Sequence, residues 1–272
     1  MPQEFRMKLR YSGGDADDHH LDLYEATTSL QGFAQALQIC VHFYLNDEVT
    51  GRATALKGAK LYIEPPRRGS VTFDVVAFLE KYPATVSVAA PAFYDFIKYA
   101  IGKASGYQSL KPQTPYVTKL ATDKEPHFDR LAETIEGGLQ RAHRPIGRGV
   151  PQITLERPRS ILVKFDRATK DWVDTRDLSG KVPDILGNVT RYNTVTSNGR
   201  AYIQSLRRII PFSLDKSFPA IKKQNLTWSL HGDNIDGSKE LNFTLKWVES
   251  ARGEVKRIIL FDCDVAQSST ED

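Results

Sequence analysis

The last third of the chain carries an order of periodicities that few folds satisfy. Apolar and polar residues alternate from Ile185 to Tyr192, Gly199 to Ile203 and Arg207 to Leu214. Phe218, Ile221, Asn225 and Trp228 then step at helical spacing, and Leu241 to Val248 and Glu254 to Cys263 alternate again around Arg252-Gly253. Three strands, a helix and two strands can close into a small barrel with the helix plugging one end. Within it, Gly187 to Ile203 reads as a β-hairpin. Val189 and Arg191 fall on one face, Asn188, Thr190 and Tyr192 on the other, and Asn198-Gly199 supplies the positive φ of a tight reversal.

Upstream the period changes. Phe5, Met7, Leu9 and Tyr11 alternate as in a half-buried strand ended by Ser12-Gly13-Gly14-Asp15, and Leu21 to Leu23 reads as a short extended piece. Leu23, Ala26, Leu30, Phe33, Leu37, Val41 and Tyr44 then form one apolar helix face ending near Asn46, with Asp22 and Glu25 at capping-box spacing. Lys60 to Glu64 and Val71 to Ala77 read as a hairpin whose tip carries Arg67 and Arg68. Phe93, Phe96, Ile97 and Ile101 line a further helix, as do Phe128, Leu131, Ile135 and Leu139, the latter weakened by Gly137-Gly138. Gly106 to Pro115 and Arg167 to Gly180 read as loops.

The expected class is therefore α+β: an N-terminal α+β domain over 1–148, a small OB-like antiparallel β-barrel over 149–266 that includes a hairpin at Ile153 to Phe165, and a disordered polar tail at 267–272. The domain boundary is placed at the basic, Pro- and Gly-broken stretch Arg141 to Gly149.

Composition excludes several classes. The chain has 272 residues, 40% hydrophobic and 26% charged, with a formal charge of +4, which is ordinary for a globular protein and too small an excess to name a partner. Cys40 and Cys263 stand alone in apolar patterns, so neither a disulfide framework nor a cysteine metal site is expected. Met1 to Arg6 holds no apolar signal core, and a cytoplasmic location is expected. Thr85 to Ile101 is the most apolar stretch, but Pro91, Asp95 and Lys98 interrupt it well short of the roughly 20 residues a bilayer crossing needs.

Gly187-Asn188-Val189-Thr190-Arg191-Tyr192-Asn193, followed by Asn198-Gly199-Arg200-Ala201-Tyr202-Ile203, resembles the opening hairpin of cold-shock domains. Those are OB-type barrels that stack single-stranded bases on aromatic rings, and the resemblance covers this hairpin alone. Arg191 stands where that family has tryptophan, and Arg200 and Ala201 where an aromatic and a glycine are usual; Tyr202 keeps a stacking ring. Asp22 to Leu37, with Arg68 to Asp74, looks like a group of uncharacterised bacterial and prophage-borne proteins, which implies a bacterial or phage origin.

Side-chain chemistry points away from catalysis. There is no Gly-x-Ser-x-Gly elbow and no P-loop spacing, and His127, His143 and His231 are isolated, so they read as structural or solvent-facing. Asp15, Asp17, Asp18, His19 and His20 are the densest potential metal ligands. One short loop rarely completes a coordination shell, however, and an acidic turn before a helix is the plainer reading.

Arg191, Tyr192, Arg200, Tyr202, Arg207 and Arg208 lie on adjacent strands and, with Arg67 and Arg68, form the expected binding set. The sequence thus describes a non-catalytic interaction or adaptor subunit of a bacterial or phage system, without cofactor, acting through a protein partner or as a homo-oligomer. Single-stranded nucleic-acid binding by the barrel is the alternative, and a metal-dependent enzyme using the Asp15 to Asp22 loop comes third.

Overall fold

The alternation at the start of the chain forms β1 (Gln3–Ser12), with Phe5, Met7, Leu9 and Tyr11 buried and Arg6, Lys8 and Arg10 on the opposite face. In a computed structural model the chain divides into two units, Met1–Asp174 and Thr175–Asp272. The structure describes residues 3–51, 56–64, 71–82, 84–87, 89–177, 180–233 and 239–266. The expected tail at 267–272 lies outside the described residues, as do Arg67 and Arg68.

In the first unit β1 is the central strand of a five-stranded antiparallel sheet. With β2 (Ala59–Glu64), β3 (Thr72–Leu79), β4 (Gln152–Arg157) and β5 (Ser160–Phe165), the order is β2-β3-β1-β4-β5. The helices α1 (Leu23–Asn46), α2 (Ala90–Ala104), α3 (Pro115–Asp123), α4 (Glu125–Ala142) and α5 (Arg167–Val173) belong to the same unit. One apolar cluster joins the helices to the sheet, with Phe5 stacked on Phe93 and Phe33 edge-on to Phe165.

The expected apolar face of α1 is buried at Phe33, Leu37 and Val41, whereas Leu23 is exposed. Asp22 caps α1 by accepting the Glu25 N–H at 2.9 Å. Only half of the capping box forms, because the Glu25 carboxylate takes Arg144 Nε at 2.8 Å and Arg148 at 2.7 Å and so ties the start of α1 to the end of α4. A buried chain of hydroxyls reinforces the same joint. Ser29 donates to the Ala142 carbonyl at 2.7 Å, which leaves Tyr11 Oη as the donor in its 2.9 Å bond to Ser29. Asp95, which interrupts the apolar stretch in the sequence, is buried in α2 and accepts the Gln113 and Thr114 N–H groups and the Thr114 hydroxyl.

The two glycines of α4 differ. Gly138 faces Gly32 of α1, where an added methyl at 32 would lie 2.4 Å from the Gly138 carbonyl, so the helices meet backbone to backbone. Gly137 faces open space. Gly137→Ala is expected to raise the stability of this unit by about 0.5–1 kcal/mol through helix propensity, while Gly138→Ala gains nothing. Urea unfolding of the two variants checks this, and a Gly137→Ala midpoint below wild type would contradict it.

Gly106 to Thr114 is a loop as read, and Thr114 caps the helix Pro115–Asp123 that follows it; Arg167–Val173, inside a segment read as a loop, is a helix with a full capping box between Asp166 and Thr169. Leu21 to Leu23 is not a strand. The domain boundary also moves: the β4–β5 hairpin belongs to the first sheet because Lys8–Ser12 pairs with Gln152–Glu156, which places residues 149–174 in the first unit.

The second unit is the closed barrel. It comprises β6 (Thr175–Asp177), β7 (Val182–Asn193), β8 (Asn198–Ile203), β9 (Arg208–Leu214), α6 (Lys223–Asp233), β10 (Leu241–Ser250) and β11 (Val255–Val265). The order β11-β9-β8-β7-β10 closes through β10–β11, and β6 adds to β10. Pairing is antiparallel except between β9 and β11, which run parallel because α6 and β10 intervene. This is the OB arrangement. Leu226 of α6 is buried with Phe243, Leu245 and Ile258, and Ser229 Oγ accepts the Val189 N–H at 3.0 Å and donates to the Lys239 carbonyl.

Candidate ligand-binding face of the barrel

Strict alternation would put Arg191 on the core side of β7. The ladder instead slips by one residue between Val189 and Arg191, a β-bulge that exchanges the faces of every residue after it. Tyr192 therefore turns inward and stacks on Phe212 at 6.1 Å, where burial raises its hydroxyl pKa. Arg191 turns outward, directly opposite Arg200, and Arg200 pairs onward with Pro211. Gly199 is needed opposite the inward Tyr192, since an added methyl would lie 2.3 Å from the Arg191 carbonyl and 2.5 Å from the Phe212 ring.

The second outward row is Asn188, Tyr202 and Ile209. Ile209 is 49% exposed, and Val195, in the β7–β8 turn, is 91% exposed. That turn spans residues 194–197 and not Asn198-Gly199. Asn193 Oδ1 accepts the Val195 and Thr196 N–H groups, and Ser197 takes the positive φ.

The structure thus brings Arg191, Arg200 and Tyr202 onto one face and removes Tyr192 from it. Arg208 is drawn elsewhere, donating to the Val255 carbonyl at 2.6 Å and clipping β9 to β11, and Arg207 is an exposed left-handed residue ending the turn before β9. Asn188, Ile209 and Pro211 were not singled out from sequence. Their signal is the register, since Ile209 and Pro211 flank the buried Ile210.

Chemically, this face offers guanidinium groups, which donate to phosphates or stack on bases, beside one phenol ring and an aliphatic patch.

The other sequence candidates do not assemble. Asp17 Oδ1 accepts the Gly13 N–H at 2.8 Å and so closes its own turn. No group of three His, Cys, Asp or Glu side chains among the described residues is placed to hold a metal ion, so Asp15, Asp17, Asp18, His19 and His20 form no such site. Cys40 and Cys263 are free, buried thiols whose pKa burial raises, to about 12 for Cys263. No helix among the described residues is long and apolar enough to cross a membrane.

The fold and this face define an α+β protein carrying an OB-type barrel. Residues 7–174 match the family described as a domain of unknown function, DUF7946, and the chain belongs to that family. The match ends where the first unit ends, so the barrel lies outside it. No curated protein and no solved structure matches the chain.

Proposed function

We propose that this is a non-catalytic binding protein of a bacterial or phage system, working in the cytoplasm, whose barrel holds single-stranded nucleic acid on the outer face of β7, β8 and β9. The observation that carries the reading is the placement of Arg191 opposite Arg200 with Tyr202 on the same face, on the strands next to the first barrel turn. In OB barrels the second and third strands and the loop joining the first two form the ligand surface, and β8, β9 and residues 194–197 occupy those places here. Arginine and tyrosine planes give sequence-tolerant base stacking, and guanidinium groups neutralise the backbone. The two free thiols suit a reducing compartment.

The test uses short single-stranded oligonucleotides at two salt concentrations. Wild-type affinity falls with salt, and Arg191→Ala with Arg200→Ala flattens the dependence of log affinity on log salt by about 1.4, since each neutralised phosphate contributes roughly 0.7 on single strands. Tyr202→Ala weakens binding by about 1–3 kcal/mol. Folding is preserved in both, because the three side chains point away from the barrel core. Absence of binding at low salt would overturn the proposal.

Exposed Ile209 and Val195 favour one second reading, a protein partner on the same face. It predicts no oligonucleotide affinity and loss of the partner on Ile209→Asp.

A further inference from the structure

We infer that a second copy of this chain docks on the outer edge of β2, the two β2 strands pairing antiparallel about Tyr62 so that the five-stranded sheet continues from one copy into the next. The inference concerns the first unit and is independent of the barrel face.

The first unit guards its other open edges. An uncovered strand edge presents unpaired N–H and C=O groups and is a template for another strand, so proteins plug or distort such edges. Beyond the end of β4, the edge of β1 is closed by Tyr94, whose hydroxyl accepts the Arg6 N–H at 3.1 Å and donates to the Arg6 carbonyl at 2.9 Å. On β5, the opposite rim of the sheet, the Lys164 carbonyl takes the Tyr107 hydroxyl at 2.7 Å, and a bulge between Leu155 and Glu156 bends the hairpin. Among the described residues β2 has neither device. Its register with β3 runs unbroken from Ala59 to Glu64, and among the described residues none bonds to its outer edge.

Its side chains are exposed in a way a monomer does not require. Tyr62 is 52% exposed on the open face of the sheet, and Ile63 is 54% exposed on the helix side.

The sequence of β2 identifies the occupant. Ala-Lys-Leu-Tyr-Ile-Glu is complementary to itself when reversed. With Tyr62 opposite Tyr62 of the second copy, Lys60 faces Glu64 and Leu61 faces Ile63, each pair occurring twice by symmetry. Polar pairs fall on one face and aliphatic pairs on the other, matching the faces these residues already have in the sheet. A shift of one residue would set Lys60 against Ile63, so this register is specified. Pro65 and Pro66 follow in the sequence and cannot donate to a ladder, which confines the pairing to Lys60 through Glu64. Glu64 is already held by Arg6 at 3.0 Å and Lys60 by Glu80 at 2.9 Å. Pairing would therefore join two exposed ion pairs into an alternating row of Arg6, Glu64, Lys60 and Glu80 across the two copies.

The full chain should show a concentration-dependent mass approaching twice 30.6 kDa by light scattering. Lys60→Glu alone and Glu64→Lys alone set like charges opposite each other and should each weaken the dimer about ten-fold or more, while the two together restore complementarity and the dimer. Thermal unfolding of each variant shows whether the first unit remains folded. A cross-linking pair of variants keeps the native charges: with the antiparallel Cα separation of about 4.5–5.5 Å, Tyr62→Cys should form a disulfide-linked dimer under mild oxidation. Leu23→Cys, 79% exposed at the start of α1 and away from β2, should not, and buried Cys40 and Cys263 give no background. A monomer at every concentration, or a dimer that Tyr62→Cys does not link, overturns the inference.

Discussion

Leu37→Ala is expected to cost the first unit about 2–5 kcal/mol, the range for deleting a buried leucine side chain down to its methyl. Leu37 lies in α1 within the cluster that joins the helices to β1, and it is fully buried. The cost should not fall to the low end, because the cavity has little means to collapse. α1 is held against α4 by backbone contact at Gly32 and Gly138, and at its start by the Glu25 clasp with Arg144 and Arg148. Urea unfolding, with hydrogen exchange to follow α1 and α4 separately from the barrel, should show the helices destabilised while β7–β11 keep their protection. Stability near wild type would show the face of α1 to be misassigned.

Stability of the same unit should fall as pH drops from about 6.5 to about 4, by up to roughly 3 kcal/mol from one residue. His143 is buried between the Leu139 carbonyl, 2.7 Å from Nδ1, and the Thr169 hydroxyl, 3.0 Å from Nε2, and burial pushes its pKa down to about 4. The Leu139 carbonyl can only accept, so Nδ1 carries the proton of the neutral ring and Nε2 stands unprotonated beside the Thr169 hydroxyl. The folded pKa lies below the unfolded one, so the unfolded chain takes up a proton first. The contribution is fully present above about 6.5 and is lost as pH falls through about 4. His127 shifts in the same direction through burial. Comparing His143→Asn with wild type across this range therefore isolates the His143 share. The variant should be less stable at neutral pH and should lose less on acidification; an unchanged slope would refute the assignment.

The two most periodic parts of the chain were legible in the sequence. The face of α1 was readable because an apolar residue returns every three or four positions over many turns, and the barrel because its strand and helix lengths leave few closures. α3 and α5 were not: α3 has Val117 as its buried hydrophobic residue, and α5 is seven residues long, so neither develops a visible face. The boundary was misplaced for a different reason. Ile153 to Phe165 alternates as a barrel hairpin would, and nothing local states that its partner is β1. At the candidate face, alternation puts Arg200 and Tyr202 on one side of β8, but the slip after Val189 that turns Arg191 outward and Tyr192 inward leaves no mark in residue identity.

The central position of β1 also governs how the protein is made. It leaves the ribosome before the other strands of its sheet, yet its Lys8–Ser12 edge waits for Gln152–Glu156. At about 5–20 residues per second, the roughly 140 intervening residues take about 7–30 s to synthesise. During that time Leu9 and Tyr11 belong to a nascent chain whose sheet is incomplete on one side, and such long-range pairing is slow even once both strands exist. The barrel needs no such delay, since β7, β8 and β9 pair with their sequence neighbours. A nascent or truncated chain ending near residue 148 would hold all the long helices and still lack the strands that cover β1, making it a substrate for chaperones rather than a domain.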